Sequence, residues 1–285
     1  MKIQSISSTL IVIVLIVATL VMGQSIIIPF IIALLIWFVV KKMRNLLDKS
    51  AFILKYIPHW IKTILASAVI FIAILLTGRI LTSNIESLAN SYENYAPNIE
   101  SLSIKINELF AINIHVEVIN FFDKLDIQSY LKSIFNSISF ILGNMVMIIF
   151  YVTFLFVEET LFQHKIKLIF SDKTRYKNVM SIFQKIDKSM SSYISLKSLV
   201  NLMSAGVSYF ILLAVGIDSP VFWAFLIFIF NFIPSIGPII GTIFPALFAL
   251  IQFGEFAPFL IILLGVGIVV MTVGSIIEPK LMGNT

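Results

Sequence analysis

The chain has 285 residues, of which 59% are hydrophobic and only 12% charged, with a mean hydropathy of +1.03 and a net charge of +5. A soluble domain carries about half apolar and a quarter charged residues, so this composition excludes one and specifies an all-α, polytopic membrane protein with the lipid bilayer as solvent. Cysteine is absent, and His59, His115 and His164 stand far apart, which removes disulfides, thiolate centres and any metal-ligand spacing.

In chain order, apolar runs occupy Leu10–Met22, Ile26–Val40, Ile64–Leu81, Phe140–Val157, Leu199–Val215, Phe222–Ile233, Ile239–Phe253 and Pro258–Ile277. They predict about seven to eight apolar helices, several shorter than the roughly 20 residues a span needs. The first run extends back through Ile3–Thr9, and the second lets Lys41 and Lys42 snorkel to the interface. A helical hairpin accounts for both. The start also fits a cleaved signal peptide, with Lys2, an apolar stretch and small residues at Val21-Met22-Gly23. Phe222–Ile233 reads as a half-helix or re-entrant arm. At about 1.5 Å per residue it falls well short of the hydrocarbon core.

Charge gives the orientation. Residues 41–62 carry six basic residues against Asp48, and residues 158–198 carry eight against four acids. Residues 82–137 carry three basic residues against seven acids. The basic stretches belong in the cytoplasm and the acidic one outside, which with paired first spans puts the amino terminus inside. The expected organisation is an amino-terminal hairpin, basic loop and third span (1–81), an external acidic helical segment (82–137) and a fourth span (138–157). A cytoplasmic basic amphipathic helix (158–198) and a carboxy-terminal membrane region (199–285) complete it.

Within 82–137, Ile85, Leu88, Tyr92, Tyr95, Ile99, Leu102, Ile106 and Leu109 recur at three- and four-residue steps, with Asn84 placed to cap. Asn-Ile-Glu-Ser-Leu occurs at 84–88 and again at 98–102, which reads as coincidence rather than a functional repeat. A second stripe, Val179, Ile182, Phe183, Ile186, Met190, Tyr193 and Ile194, lies opposite Lys177, Lys185 and Lys188. It predicts a basic amphipathic helix anchored on the inner leaflet and running on into the span Leu199–Val215, with a lever coupled to that span as the alternative role.

The most informative stretch is Asn231-Phe-Ile-Pro-Ser-Ile-Gly-Pro-Ile-Ile-Gly-Thr-Ile-Phe-Pro245. Pro234, Pro238 and Pro245 disfavour a continuous helix, and Gly237 and Gly241 permit close backbone approach. A break at membrane depth is tolerated only where it is buried or faces a cavity, and transporters place their sites there. A proline-rich loop between ordinary spans is the alternative. Other in-span polar residues are few. Arg79 snorkels outward, Asn144 and Asn201 suit interhelical hydrogen bonds, and Glu158-Glu159 sits at a solvated span end. Asn231, three residues before Pro234, and Glu278, beside Pro279, have the stronger functional case. No phosphate loop, paired in-membrane carboxylates or nucleophile–base arrangement is present, so no enzymatic activity and no cofactor is expected.

Asn231-Phe-Ile-Pro-Ser-Ile-Gly-Pro-Ile-Ile-Gly241 and Ile276-Ile-Glu-Pro-Lys-Leu-Met-Gly283 resemble the two signature stretches of the autoinducer-2 exporter family of permeases, and Gly216-Ile-Asp-Ser-Pro220 is similar to that family's outer turn. The resemblance covers nearly the whole chain. It implies export or exchange of a small polar solute across the bacterial inner membrane, with autoinducer-2 and sodium/proton antiport both assigned within the family. It also implies a homo-oligomer, a pentamer by expectation, and no nucleic-acid partner. Family members continue past Gly283 with a further apolar region, so a chain stopping at Thr285 reads as truncated or as a short variant. The expected solute pathway is Asn231, Pro234, Gly237, Pro238, Gly241 and Glu278. A cation/proton antiporter and a membrane scaffold without a transported solute are the competing readings.

Overall fold

The structure, a computed structural model, describes residues 2–48, 56–95, 97, 98, 100–102, 104, 105, 127–170 and 172–283. Ile99, Ile106 and Leu109 of the outer stripe, Lys49 and Lys55 lie outside these residues. In chain order the helices are α1 (Lys2–Met22), α2 (Gln24–Leu47), α3 (His59–Ser91), α4 (Ile127–Gly143), α5 (Met145–Ile169), α6 (Lys173–Val215), α7 (Pro220–Phe230), α8 (Ile236–Phe253), α9 (Phe256–Thr272) and α10 (Glu278–Met282). A 3-10 turn at Tyr92–Tyr95 follows α3, and a π turn at Val273–Ile277 joins α9 to α10. Among the described residues every regular element is a helix. Six stretches among the described residues are long and apolar enough to cross a membrane, and Leu10–Met22 and Pro220–Phe230 are shorter apolar helices. The protein is an all-α, polytopic membrane protein.

The chain forms two compact units, Met1–Phe71 with Phe140–Lys188 and Ile72–Ser139 with Ser189–Thr285. In the first, α2 packs on α5, burying Ala33, Ile36, Phe38 and Val40 with Met145, Ile148 and Val152. Its polar end is a knot of charge. Glu159 takes Lys41 and Arg44, each at 3.3 Å, and accepts the Trp37 indole N–H at 3.2 Å, while Lys41 also reaches Asp187 at 2.8 Å. Glu159 is thus a structural hub rather than a solvated terminus. Glu158 pairs separately with Lys165 at 2.8 Å. The stripe residues Ile182, Ile186 and Met190 stay exposed, and the Phe183 ring sits edge-on to Phe162.

Two expectations change. Between α1 and α2 only Gly23 intervenes, with φ −88° and ψ 1°. Its N–H bonds Thr19 and its carbonyl takes Ile27 in helical register, so the chain bends there and does not reverse into a hairpin. Asn84 is no cap. It lies inside α3 and turns its amide back onto the Ile80 carbonyl, because α3 runs unbroken from its apolar stretch into the acidic segment. The amphipathic stretch runs on into the span after it, as its sequence indicates, in one 43-residue helix, α6.

The second unit holds the larger core. Ile85, Leu88, Tyr95 and Leu102 of the outer stripe pack with Leu212, Phe222, Trp223, Ile227, Phe248, Ile251 and Ile262. Gly216, at φ +81°, ends α6 in the left-handed conformation that glycine adopts without strain. Pro220 opens α7 in its first turn, where the missing N–H has no helical partner to lose. The Gln252 amide, near the end of α8, donates to the Gly216 carbonyl and accepts from the Asp218 N–H, both just before α7. The two ends of the α7–α8 pair therefore lie side by side, and the pair is a helical hairpin with its break at the far tip.

Candidate functional site

Lys197, Asn201, Ser204 and Ser208 are spaced four, three and four residues apart on α6, the rhythm that puts them on one helix face. All four are buried. From Lys197 to Ser208 the file runs about 16 Å at 1.5 Å per residue, inside an otherwise apolar span. Each group below Ser208 is met by something different. Lys197 donates to both carboxylate oxygens of Glu278, at 2.7 and 2.8 Å. Asn201 donates to the Phe228 carbonyl at 3.3 Å. That carbonyl lies in the last turn of α7, where the broken helix supplies no N–H of its own. Asn231 donates to the Ser204 hydroxyl at 3.3 Å. Interhelical bonds of this kind are worth about 1 kcal/mol in a membrane.

Two polar atoms remain unsatisfied. The Asn231 side-chain oxygen and the Ser208 hydroxyl are fully buried without a partner, in residues only 7% and 0% exposed. A buried polar group without a partner costs roughly 1–3 kcal/mol, so both stand ready for water or a polar solute.

The hairpin tip that delivers Asn231 is strained. The Ile236 N–H bonds the Pro234 carbonyl at 2.7 Å, and Ser235 between them has φ 64° and ψ −50°. This is the rare γ-turn with positive φ, an unfavourable place for a residue with a side chain. It persists because Gly237 presses against α7. A Cβ there would lie 1.8 Å from the Phe230 carbonyl oxygen. Gly241, one turn on, faces the Ile227 backbone, 3.4 Å from where its Cβ would stand.

The expected pathway residues thus fall into two groups. Gly237 and Gly241 do not open backbone toward a cavity; they close the hairpin, with α7 filling the space in front of them. Of the three prolines expected to break the helix, only Pro234 lies in the break. Pro238 sits in the first turn of α8, where an N–H would be unpaired anyway, and Pro245 is embedded inside α8. Asn231 and Glu278, by contrast, reach the same face of α6, seven residues apart at Ser204 and Lys197. The wider clefts of this unit, about 440 Å3 beside Thr77, Tyr209 and Phe225 and about 270 Å3 beside Tyr130, Trp223 and Phe244, are almost wholly apolar and are lined by none of the six.

Sequence reading missed Lys197, which it counted only as a loop charge, and passed over Ser204 and Ser208. Their common spacing was the available signal. Asn201 does make the interhelical bond expected of it. Asn144 instead bonds back to the Phe140 carbonyl of the preceding turn.

At the hairpin's base, the Tyr95 hydroxyl donates to the Asp218 carboxylate, the Trp223 indole donates to the Asp218 carbonyl at 3.1 Å, and the Asn98 amide donates to the Gln252 carbonyl at 2.5 Å. Burial, and after it the Asp218 carboxylate, hold the Tyr95 hydroxyl protonated well above the ordinary tyrosine range. These contacts tie the segment after α3 across both ends of the hairpin.

Residues 10–285 match the family model described as AI-2E family transporter. A "Putative transport protein" of Haemophilus influenzae is 27% identical over 95% of this chain and 78% of its own length. A "Putative transport protein" of Borreliella burgdorferi is 32% identical over 55% of this chain and 44% of its own. The "AI-2 transport protein TqsA" of Escherichia coli is 22% identical over 92% of this chain and 75% of its own.

Proposed function

This chain belongs to the AI-2E transporter family, and from that premise we propose that it is a permease exporting a small polar solute across the bacterial inner membrane along the polar face of α6. The observation that carries this reading is the buried file Lys197–Asn201–Ser204–Ser208 with the unpaired Asn231 oxygen beside it. Polar groups at membrane depth are costly and are kept where something polar must pass. Asn231 and Glu278 are the contacts on the hairpin and α10 sides. Pro234, Gly237, Pro238 and Gly241 shape the strained tip that presents Asn231. The re-entrant hairpin enters from the face that holds Asp218 and Gln252, outside the cell, and the basic segments around Lys41 and Lys188 lie in the cytoplasm. Autoinducer-2 is the first solute to test, because the Escherichia coli relative is named for its transport. The working unit is a homo-oligomer.

The experiment is flux through proteoliposomes with autoinducer-2 and other small polyols. Asn231→Leu is expected to cut flux at least tenfold with Tm unchanged within a few degrees, and Asn231→Gln to retain part of it. Flux at the wild-type level in folded Asn231→Leu would remove the α6 face as the route. A second reading, cation/proton antiport, is favoured by one observation, the buried Lys197–Glu278 acid–base pair. Sodium-driven pH changes in the same vesicles, abolished by Glu278→Gln, would make that reading the better one.

A further inference from the structure

We infer that the Lys197–Glu278 ion pair is the barrier at one end of the α6 polar face, and that solute passes only when the pair parts. This rests on the α6 face being the solute route. Lys197 is the last buried polar group of the file, and Met190 and Tyr193, further toward the amino end of α6, are exposed. A solute moving along Ser208, Ser204 and Asn201 toward that end of α6 therefore passes the pair. Both partners are largely buried, and Lys197 bonds both oxygens of the carboxylate. Separating them strips two charges of their partner in a poorly polarisable setting, so they part only when water or a polar solute supplies new ones.

The backbone marks which partner moves. Lys197 stands inside regular α6. Glu278 follows immediately on the π turn Val273–Ile277 and is followed by Pro279, which lacks an N–H to bond one turn back. Helical hydrogen bonding is thus loosened on both sides of Glu278 and on neither side of Lys197. Such π turns are rare and gather at functional positions. Glu278 is the swinging half of the barrier and Lys197 the fixed half.

The chain has no cysteine, so one thiol reports on this barrier. Ser208→Cys puts it above the pair, and Lys280→Cys, on an exposed side chain, identifies the face on which the pair lies. An impermeant methanethiosulfonate is applied from that face to membrane vesicles holding the full chain. Labelling at position 208 is expected to be slow with the pair intact and with Lys197→Arg. It should rise at least tenfold in Lys197→Ala/Glu278→Ala, which leaves no unpaired charge behind, and in Glu278→Gln where that variant folds. Exchange of the charges, Lys197→Glu with Glu278→Lys, should restore slow labelling to within about twofold. From the opposite face the rate should not change in any variant, whereas general loosening of the fold would raise both. An unchanged rate in the double alanine variant, or fast labelling after charge exchange, overturns the barrier. Flux separates this outcome from the reading beneath it. If labelling position 208 leaves flux intact, the route itself is wrong; if labelling blocks flux but the pair does not control its rate, only the barrier falls.

Discussion

Gly237 shows how much one hydrogen atom decides. Its Cβ position lies 1.8 Å from the Phe230 carbonyl oxygen, a backbone atom that cannot swing aside. Gly237→Ala is therefore expected to destabilise the folded protein by about 3 kcal/mol or more, at the upper end of what overpacking costs. Gly241→Ala, where the nearest atom is 3.4 Å away, should cost about 1 kcal/mol or less. Thermal melts of the two variants in one detergent check the contrast, and equal losses would mean that the hairpin can spread. Gly237→Leu is expected to lose the folded hairpin for the same reason. Asn231 differs in kind. Its donor is engaged by Ser204 while its acceptor is buried and free, so replacing it removes polar groups rather than a close packing contact.

At the scale of elements, the α7–α8 hairpin is held from both ends, by Ser204 and Asn201 of α6 at its tip and by the Tyr95–Asp218–Gln252 cluster at its base. Tyr95→Phe removes a hydrogen bond to a carboxylate, and the loss is expected to be about 1.5–3 kcal/mol. Its pH dependence has a definite sign. The folded protein holds the Tyr95 proton more tightly than an unfolded chain, in which tyrosine titrates near about 10. The contribution is therefore complete below about pH 10 and is lost as pH rises toward the higher folded value. The difference in Tm between wild type and Tyr95→Phe should stay constant from pH 7 to about pH 9.5 and shrink above it. A difference that grows at high pH would show that the hydroxyl ionises in the folded state first.

For the molecule as a whole, the exposed apolar side chains of the long helices fit a lipid solvent, and the remaining issue is which end faces which side. Asn94 and Thr174 are both exposed, Asn94 in the acidic stretch and Thr174 in the basic one. In intact cells an impermeant thiol reagent should label Asn94→Cys and spare Thr174→Cys until the cells are opened. The reverse pattern would invert the orientation proposed from loop charge. Because Gly23 bends rather than reverses the chain, this test carries the topology without any count of the first two spans.

The membrane class, the long helices, the half-helix before Pro234 and the family signatures were all legible in the amino-acid sequence, because each depends on local composition or on a short run of residues. A 20-residue apolar stretch has few conformations open to it in lipid, and a proline–glycine cluster disrupts a helix whatever surrounds it. Asn231 and Glu278 stood out because polar groups inside apolar runs are rare. Their partners did not, since Lys197 and Ser204 lie 81 and 27 residues away along the chain. Whether a glycine opens a cavity or closes a hairpin depends on the atom opposite it, here the Phe230 carbonyl, and no local pattern encodes that. Tertiary packing alone decided it, because burial, pairing and close approach are properties of two surfaces and a sequence writes down only one at a time.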